Sequence, residues 1–428
     1  MRAAISSEML LPDLAGTEGI LQCIFDVHPS AWLALSLLFI IMRFLRLFST
    51  PEKPKVYLNR KPDTCKSNMQ QIIDATPILD EVYRPPWLWG RSGHLQTAAY
   101  GLLGHSSLRR TGRREFVKLA DGTTVTFDVF EPLAKNSSGL DVTLCLTPGI
   151  ANSAESNYIR TCVHNAQEAG YRCAVLNHLG ALVGVQLTSP RIFSYGGTEE
   201  LTSMMNWLAA NYSATRFFCI GFSMGANITT RFLIESTEEM RSRILMGLSV
   251  GQGYSATTSA PMYHDWENGR RAYNYVITEN MKRLLRRNYE QAVAPYVAKG
   301  LVDEQRLWSA TSIILFDELY NRRVGGYESV DALYAAASCL PLLERLKVPM
   351  IFLNTHDDPI VPKILWEPVK ELSQNREEMA FISTKHGGHL GFLEGPSLSP
   401  LSVTWLDRLI VQLADSACKV YHIGSSTK

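Results

Sequence analysis

The sequence has almost no excess of charge of either sign. Its 428 residues include 42 lysines and arginines against 41 aspartates and glutamates, a net charge of +1. Nucleic-acid-binding surfaces need clustered positive charge, so we expect no nucleic acid partner. Charged residues make up only 19% and hydrophobic residues 46%, which excludes a disordered chain or a coiled coil. The length suits one large domain with appendages, or two to three ordinary domains.

Cysteine is scarce and scattered. The 8 cysteines form no CxxC pair and no Cys/His run with the spacing of metal ligands. A disulfide scaffold or a zinc module is therefore not expected. We predict that the protein uses no metal and no cofactor.

Long hydrophobic runs are absent except for one near the N-terminus. Residues 31–42, AWLALSLLFIIM, carry no charge but are too few to span a bilayer core of about 30 Å. The run becomes long enough if it extends to Phe48, with Arg43 and Arg46 snorkelling towards the headgroups. We therefore predict a single-pass membrane anchor over about residues 31–48, in the cell membrane or an endomembrane.

Two alternatives exist for this run. A core helix of the folded domain is the simpler one, whereas a cleaved signal peptide fits poorly because acidic residues precede the run. The basic residues that follow the run would place the rest of the chain in the cytosol by the positive-inside rule.

From about residue 113 onward, short apolar runs alternate with amphipathic helical patterns. Residues 114–132 predict a β-hairpin with Asp121-Gly122 at its turn. Apolar strands separated by helices predict an α/β fold, with a mainly parallel sheet flanked by helices. We assign this core to residues 111–253 and 348–428, preceded by an N-terminal segment (1–50) and by a linker with an N-terminal extension (51–110).

Residues 254–347 interrupt the alternation with aromatic-rich helical patterns. An insertion of this size at one point of an α/β core is typical of a helical cap over the site. Within it, helical spacing places Lys282, Arg283, Arg286 and Arg287 in one basic stripe. The stripe is either a solvated helix face or a surface for anionic headgroups.

A GxSxG motif, Gly221-Phe222-Ser223-Met224-Gly225, lies between an apolar strand and a helical pattern. In this context the serine sits on a sharp turn that exposes its hydroxyl, and the flanking glycines avoid collisions with the neighbouring backbone. The N–H of Met224 opens the helix and points at the reacting oxygen. The alternative is a glycine-rich loop around a structural serine.

A serine nucleophile needs a base, and the base needs an orienting acid. In this fold class the acid and the base follow the serine in that order along the chain, each after a strand. Two loops supply them here: one offers Asp357 or Asp358, the other His386 or His389. The second oxyanion donor is expected from the loop Pro148-Gly149-Ile150, through the N–H of Ile150.

These motifs resemble the α/β-hydrolase-fold lipase family of abhydrolase domain-containing proteins, and within it the monoacylglycerol lipase type. The resemblance covers about residues 85–413 and includes GHLQT, TPGIANS, YRCAVLNHLGAL, GFSMGAN, DDPIV and HGGHLGFLEG. It implies the α/β-hydrolase fold, with Ser223 as nucleophile, Asp358 as acid and His389 as base. The family's HxxxxD motif is not matched, because Val183 stands five positions after His178.

The resemblance also implies the chemistry. The expected substrate is a lipid ester, with monoacylglycerol first and other acylglycerols or short-chain esters allowed, and membrane lipid is an expected partner. A lipophilic, steroid-like regulatory ligand is implied as well. Family members are described with a cytosolic N-terminus, which disagrees with the charge rule, so the side of the catalytic domain stays open. The oligomeric state is not indicated.

The function predicted from the sequence is a membrane-anchored serine ester hydrolase. One alternative has the same three residues but acts as a phospholipase or passes the acyl group to an acceptor other than water. Another is a lipid- or steroid-binding receptor on a hydrolase scaffold. Receptors of that kind usually lose one of the three residues, and all three are present here.

Overall fold

The structure, a computed structural model, describes residues 28–102, 112–265, 269–396 and 400–426. These residues belong to two compact units that divide between Ser49 and Thr50.

The first unit contains helix α1 (Pro29–Phe44). The predicted membrane span over residues 31–48 is wrong, because this helix ends at Phe44 and Arg46 adopts a left-handed conformation with φ of 53°. Its 16 residues extend about 24 Å, less than the hydrocarbon core of about 30 Å. Among the described residues no helix is both long and apolar enough to cross a membrane, which overturns the predicted single-pass anchor and the location derived from it.

The second unit is built on one sheet whose described strands run in the order β1-β9-β8-β7-β6-β4-β5-β3-β2. Strands β4 to β9 run parallel to one another, whereas β2 and β3 at one edge and β1 at the other pair in antiparallel fashion. This arrangement confirms the predicted mainly parallel sheet. The strands are β1 (Lys55–Tyr57), β2 (Arg113–Lys118), β3 (Thr124–Phe130), β4 (Val142–Thr147), β5 (Arg172–Asn177), β6 (Arg216–Phe222), β7 (Ile244–Val250), β8 (Met350–Thr355) and β9 (Met379–Thr384).

Helices surround this sheet. They are α2 (Asn68–Asp74), α3 (Gly93–Leu102), α4 (Asn157–Glu168), α5 (Glu199–Asn211), α6 (Met224–Glu235), α7 (Glu238–Ser242), α8 (Ala256–Met262), α9 (Arg270–Arg287), α10 (Tyr289–Ala292), α11 (Ala294–Ala298), α12 (Glu304–Ser309), α13 (Ile313–Phe316), α14 (Arg322–Val324), α15 (Val330–Ala337), α16 (Lys363–Ser373) and α17 (Trp405–Ser426). A π-helical turn (Asp317–Asn321) joins α13 to α14, and short 3₁₀ helices occupy Asp63–Cys65, Pro77–Asp80 and Leu340–Arg345.

The central strands are buried on both faces because helices cover both sides of the sheet. Every residue of β4, β7, β8 and β9 is buried. On one face α2, α4 and α17 supply apolar side chains such as Ile159 and Leu409. On the other face α5, α6 and α16 supply side chains such as Leu208 and Phe232. The sequences of these strands are mainly apolar because none of their side chains faces water.

Strand β1 and helices α2 and α3 come from the region that the sequence predicts as a linker and an N-terminal extension. Its last residues, 103–110, lie outside the described residues. Strand β1 pairs with β9 through the register Val56 to Ile382 and so adds an edge strand to the sheet.

Helices α8 to α15 connect β7 to β8 and form the region predicted as a cap, apart from residues 266–268, which are not described. Their main apolar cluster includes Leu285, Phe316 and Tyr320. The cluster packs against Ile150 and Met224, which follow strands β4 and β6. This region therefore lies over the carboxyl ends of the central strands.

Lys282 does not belong to a solvated basic stripe on α9. Its side chain is buried, and Nζ donates to the carbonyl oxygens of Trp308 at 3.0 Å and Ala310 at 2.7 Å. Arg287 likewise donates to the carbonyl oxygen of Gly180 at 2.6 Å. These two basic side chains join segments of the protein through backbone carbonyl groups.

Candidate active site

Ser223 stands on a sharp turn between β6 and α6. Its φ of 53° and ψ of −119° are rarely adopted by residues other than glycine, and the strain is supported by the flanking structure. A Cβ atom on Gly221 would lie 2.4 Å from Cα of Ala226, and one on Gly225 would lie 2.1 Å from the carbonyl oxygen of Thr147. Both glycines of the motif are therefore needed for the close packing of this turn.

Ser223, His389 and Asp358 form one chain of hydrogen bonds. The distance from Ser223 Oγ to His389 Nε2 is 2.9 Å, and the distance from His389 Nδ1 to Asp358 Oδ2 is 2.8 Å. With the Nδ1 proton directed at the carboxylate, Nε2 is placed to accept the serine proton. The structure thus brings together the three residues that the resemblance selects.

The carboxylate of Asp358 is fixed by the backbone after β8. Its Oδ1 accepts hydrogen bonds from the N–H groups of Ile360 at 2.7 Å and Val361 at 2.9 Å. The residue is 5% exposed, so water has little access to the bond that Oδ2 makes with His389. Two backbone donors on one oxygen leave the other oriented towards the imidazole.

Asp357 and His386, the second pair of candidates from the same loops, make different contacts. Asp357 Oδ1 accepts from the N–H of Gly388 at 2.8 Å, and its Oδ2 lies 3.7 Å from His386 Nδ1. His386 Nδ1 is also 3.2 Å from the carbonyl oxygen of Arg91. These side chains connect the two loops that carry Asp358 and His389.

The predicted oxyanion donors lie next to the nucleophile turn. A Cβ atom on Gly149 would be 3.5 Å from Cβ of Ser223, which shows how closely the Pro148–Ile150 loop approaches the serine. The N–H of Gly149 is already bonded to the hydroxyl of Tyr158 at 2.8 Å. Within the described part of the chain, the N–H groups of Ile150 and Met224 have no hydrogen-bond partner. Both are therefore available to a ligand oxygen.

The fold and this geometry agree with a comparison against known families. The family profile described as the alpha/beta hydrolase fold matches residues 142–396, more than half of the chain. The chain belongs to the α/β-hydrolase family. The match includes Ser223, Asp358 and His389, and it confirms the fold that the sequence predicts.

This α/β-hydrolase has curated relatives along nearly its whole length. It is 41% identical over 404 residues to the monoacylglycerol lipase ABHD2 of Homo sapiens, covering 93% of each chain. It is 40% identical over 388 residues to abhydrolase domain-containing protein 2 of Drosophila melanogaster, covering 90% of this chain and 96% of the relative. The phospholipase ABHD3 of Homo sapiens is 27% identical over 384 residues, covering 89% of this chain and 88% of the relative. The resemblance inferred from the motifs is confirmed.

Helix α3 of this α/β-hydrolase supports the histidine loop, a role that sequence reasoning did not assign to it. Thr97 Oγ1 accepts from the N–H of His389 at 2.9 Å and donates to the carbonyl oxygen of Gly93 at 2.7 Å. A Cβ atom on Gly93 would lie 1.8 Å from the carbonyl oxygen of Asp357, so no larger residue fits there. The block GHLQT therefore touches both loops of the site.

Replacing Thr97 by valine should lower kcat about 10-fold and leave KM nearly unchanged. Valine keeps the shape of the side chain but cannot accept the N–H of His389, so the imidazole loses part of its support. Thr97→Ser keeps the hydroxyl group and serves as the matched control. Steady-state kinetics on an ester substrate checks this, and equal kcat for Thr97→Val and the unaltered protein would show that other contacts hold His389.

Two tyrosines of the cap region, Tyr263 and Tyr273, lie close enough to Asp358 for its charge to affect their pKa values. Burial raises the pKa of Tyr263 to about 12, and the nearby charge of Asp358 contributes. Burial also raises the pKa of Tyr273, again with a contribution from Asp358. Tyr273 additionally pairs its hydroxyl with Nδ1 of His94 at 3.0 Å. Both phenols therefore ionise less readily than an exposed tyrosine.

A cavity of about 350 Å³ lies next to the turn that carries Ser223. Its lining includes Phe222 and Leu390, the neighbours of Ser223 and His389, together with Tyr100 and Tyr158.

Across the described ranges of the chain, no three His, Cys, Asp or Glu side chains come together in a way that suits a metal ion.

Proposed function

We propose that the protein is a serine hydrolase of carboxylic esters and that its natural substrate is a lipid ester, first of all a monoacylglycerol. The observation that carries this proposal is the continuous hydrogen-bond chain from Ser223 through His389 to Asp358 on the strained turn after β6. A serine hydroxyl is a weak nucleophile unless a neighbouring base takes its proton, and this arrangement supplies the base.

The proposed reaction has two steps. Ser223 Oγ attacks the ester carbonyl while His389 Nε2 takes the hydroxyl proton, and the carbonyl oxygen becomes an oxyanion held by the N–H groups of Ile150 and Met224. His389 then gives the proton to the departing alcohol, which leaves an acyl group on Ser223. Water, deprotonated by His389, attacks this acyl group, and His389 then returns the proton to Ser223 Oγ as the fatty acid leaves. Asp358 orients the imidazole throughout.

Two observations support a lipid ester as substrate. The relatives that cover more than nine-tenths of this chain include proteins named monoacylglycerol lipase. The apolar cluster of the cap region packs against Ile150 and Met224, the two proposed oxyanion donors. An apolar surface beside the reacting carbonyl favours binding of an acyl chain over a polar substrate.

The test compares substrates in one assay. Purified full-length protein is given a monoacylglycerol or a phosphatidylcholine in the same mixed micelles, and the released fatty acid is measured. We expect faster release from the monoacylglycerol. Faster release from the phospholipid would favour the phospholipase alternative, and an acylated alcohol in place of free fatty acid would favour acyl transfer.

A fluorophosphonate probe separates hydrolysis from the receptor alternative. The intact chain of Ser223, His389 and Asp358 predicts covalent labelling at Ser223, identified by mass spectrometry of the labelled peptide. A protein that only binds a steroid-like ligand on this scaffold would not be labelled, and absence of labelling would contradict the proposed function.

A further inference from the structure

The peptide unit between Pro148 and Gly149 is held at both ends by side chains. His178 Nε2 lies 2.8 Å from the carbonyl oxygen of Pro148, and the N–H of Gly149 donates to the hydroxyl oxygen of Tyr158 at 2.8 Å. The carbonyl and the N–H belong to the same planar amide group. One side chain therefore fixes its oxygen and the other fixes its nitrogen.

Both side chains come from rigid elements. His178 directly follows β5, the parallel neighbour of β4, and its buried ring contacts Phe193 with ring centroids 5.2 Å apart. Tyr158 lies in the first turn of α4. Its ring packs against Phe222 at 5.4 Å and Tyr100 at 4.8 Å. Both side chains are therefore held in place by aromatic neighbours.

The protonation states suit these contacts. Burial lowers the pKa of His178 to about 4, so the ring is neutral at the pH of an ordinary assay. A neutral ring has one N–H, and the carbonyl oxygen beside Nε2 places it there. Burial raises the pKa of Tyr158, whose hydroxyl also shares a hydrogen bond with that of Tyr100. The contacts therefore stay unchanged across the pH range in which hydrolysis would be measured.

The next amide group, between Gly149 and Ile150, is held by a bond of its own. The carbonyl oxygen of Gly149 accepts from the N–H of Asn152 at 3.1 Å, and the Nδ2 group of Asn152 donates to the carbonyl oxygen of Ile150 at 2.9 Å. In a trans amide the N–H points opposite to the carbonyl, so the N–H of Ile150 is turned away from the bond between Gly149 and Asn152. Glycine permits more backbone conformations than any other residue, so the loop needs such external support at Gly149.

We propose that Tyr158 and His178 are positioning residues that hold the Pro148–Gly149 amide group so that the N–H of Ile150 points at the oxyanion. This proposal rests on the ester hydrolase function proposed above. Neither residue exchanges a proton with the substrate. His178 acts through a carbonyl oxygen and Tyr158 through an N–H group, and both effects reach the reaction through Ile150.

The experiment compares Tyr158→Phe, His178→Phe, His178→Gln and the double variant Tyr158→Phe/His178→Phe in full-length protein. Initial rates are measured with p-nitrophenyl butyrate between pH 6 and pH 9. Tyr158→Phe and His178→Phe should each lower kcat about 10-fold, less than the roughly 10²–10³-fold loss of a whole oxyanion donor, with KM nearly unchanged. His178→Gln should recover much of the loss because its amide N–H reaches the same carbonyl. The double variant should lose less than the product of the single losses, since both residues hold one amide group.

Tyr171→Phe is the matched control, because it removes another tyrosine hydroxyl, one that pairs with Asp415 away from the serine. It should change the thermal unfolding temperature and not kcat. Wild-type kcat in Tyr158→Phe and His178→Phe would overturn the clamp. So would a His178→Gln variant as inactive as His178→Phe with an altered pH profile, because that result would make His178 an acid or base. A failure of the hydrolase function itself is distinguishable, because the unaltered protein would then neither react with a fluorophosphonate nor cleave the ester.

Discussion

Replacing Ser223 by alanine should reduce ester hydrolysis by about 10⁴–10⁶-fold while the protein stays folded. Alanine removes only the hydroxyl oxygen that lies 2.9 Å from His389 Nε2 and leaves the turn and its two glycines in place. The nucleophile, the base and the acid act as one unit, so losing the first removes the contribution of the other two. Fatty acid release from a monoacylglycerol measures the effect.

Ser236→Ala is the control for this experiment. Ser236 ends the same helix α6, and its hydroxyl donates to the carbonyl oxygen of Leu233 at 3.2 Å. The Ser236→Ala variant should hydrolyse the substrate at the normal rate. The Ser223→Ala variant should unfold at a temperature close to that of the unaltered protein. Substantial turnover by folded Ser223→Ala would remove this serine from the mechanism.

Substitutions of the two carboxylates and the two histidines should differ strongly in their effect on kcat. Asp358→Asn and His389→Ala should each lower kcat by about 10⁴-fold, because the first loses the tautomer that accepts the serine proton and the second loses the base. Asp357→Asn and His386→Ala should act mainly on stability, since Asp357 bonds to the N–H of Gly388 within the loop.

Four variants measured together decide this point. The comparison needs kcat and the unfolding temperature for each, because a loosened loop also lowers activity indirectly. Greater loss of kcat in Asp357→Asn and His386→Ala than in Asp358→Asn and His389→Ala would overturn the assignment of the acid and the base.

The mainly parallel sheet was predictable because its strands have no solvent face. Strands such as β8, Met350–Thr355, are buried along their whole length and therefore read as continuous apolar runs. Each is separated from the next parallel strand by a helix with one apolar face. These patterns are local in the sequence, so they survive without knowledge of the tertiary contacts.

Choosing between Asp357 and Asp358 depends on contacts that composition and spacing do not contain. Adjacent residues after a strand point in different directions, and only the backbone donors at Ile360 and Val361 decide which carboxylate faces His389. The motif resemblance selected Asp358, whereas reasoning from residue types alone left both open.

Other features depend on contacts between distant parts of the chain. Thr97 meets His389 across 292 residues, and His178 reaches the carbonyl of Pro148 from a neighbouring strand. Lys282 has helical spacing that suggests exposure, yet it is buried against two carbonyl oxygens. The wrong prediction of a membrane span has a local cause. The hydropathy of the sequence contains no information on the left-handed turn at Arg46, which follows helix α1.

The pairing of β1 with β9 sets an order for the completion of the protein during its synthesis. Beside these strands, Glu52 and Lys385 form an ion pair at 2.6 Å across 333 residues of chain. A ribosome must release the chain through β9 before this edge of the sheet closes, whereas the strands around Ser223 are made earlier. Contacts of such high sequence separation form late and slowly. Because His389 comes shortly after β9, a nascent chain carries the proposed nucleophile for some time before it carries the proposed base, and ester hydrolysis cannot begin before His389 is made.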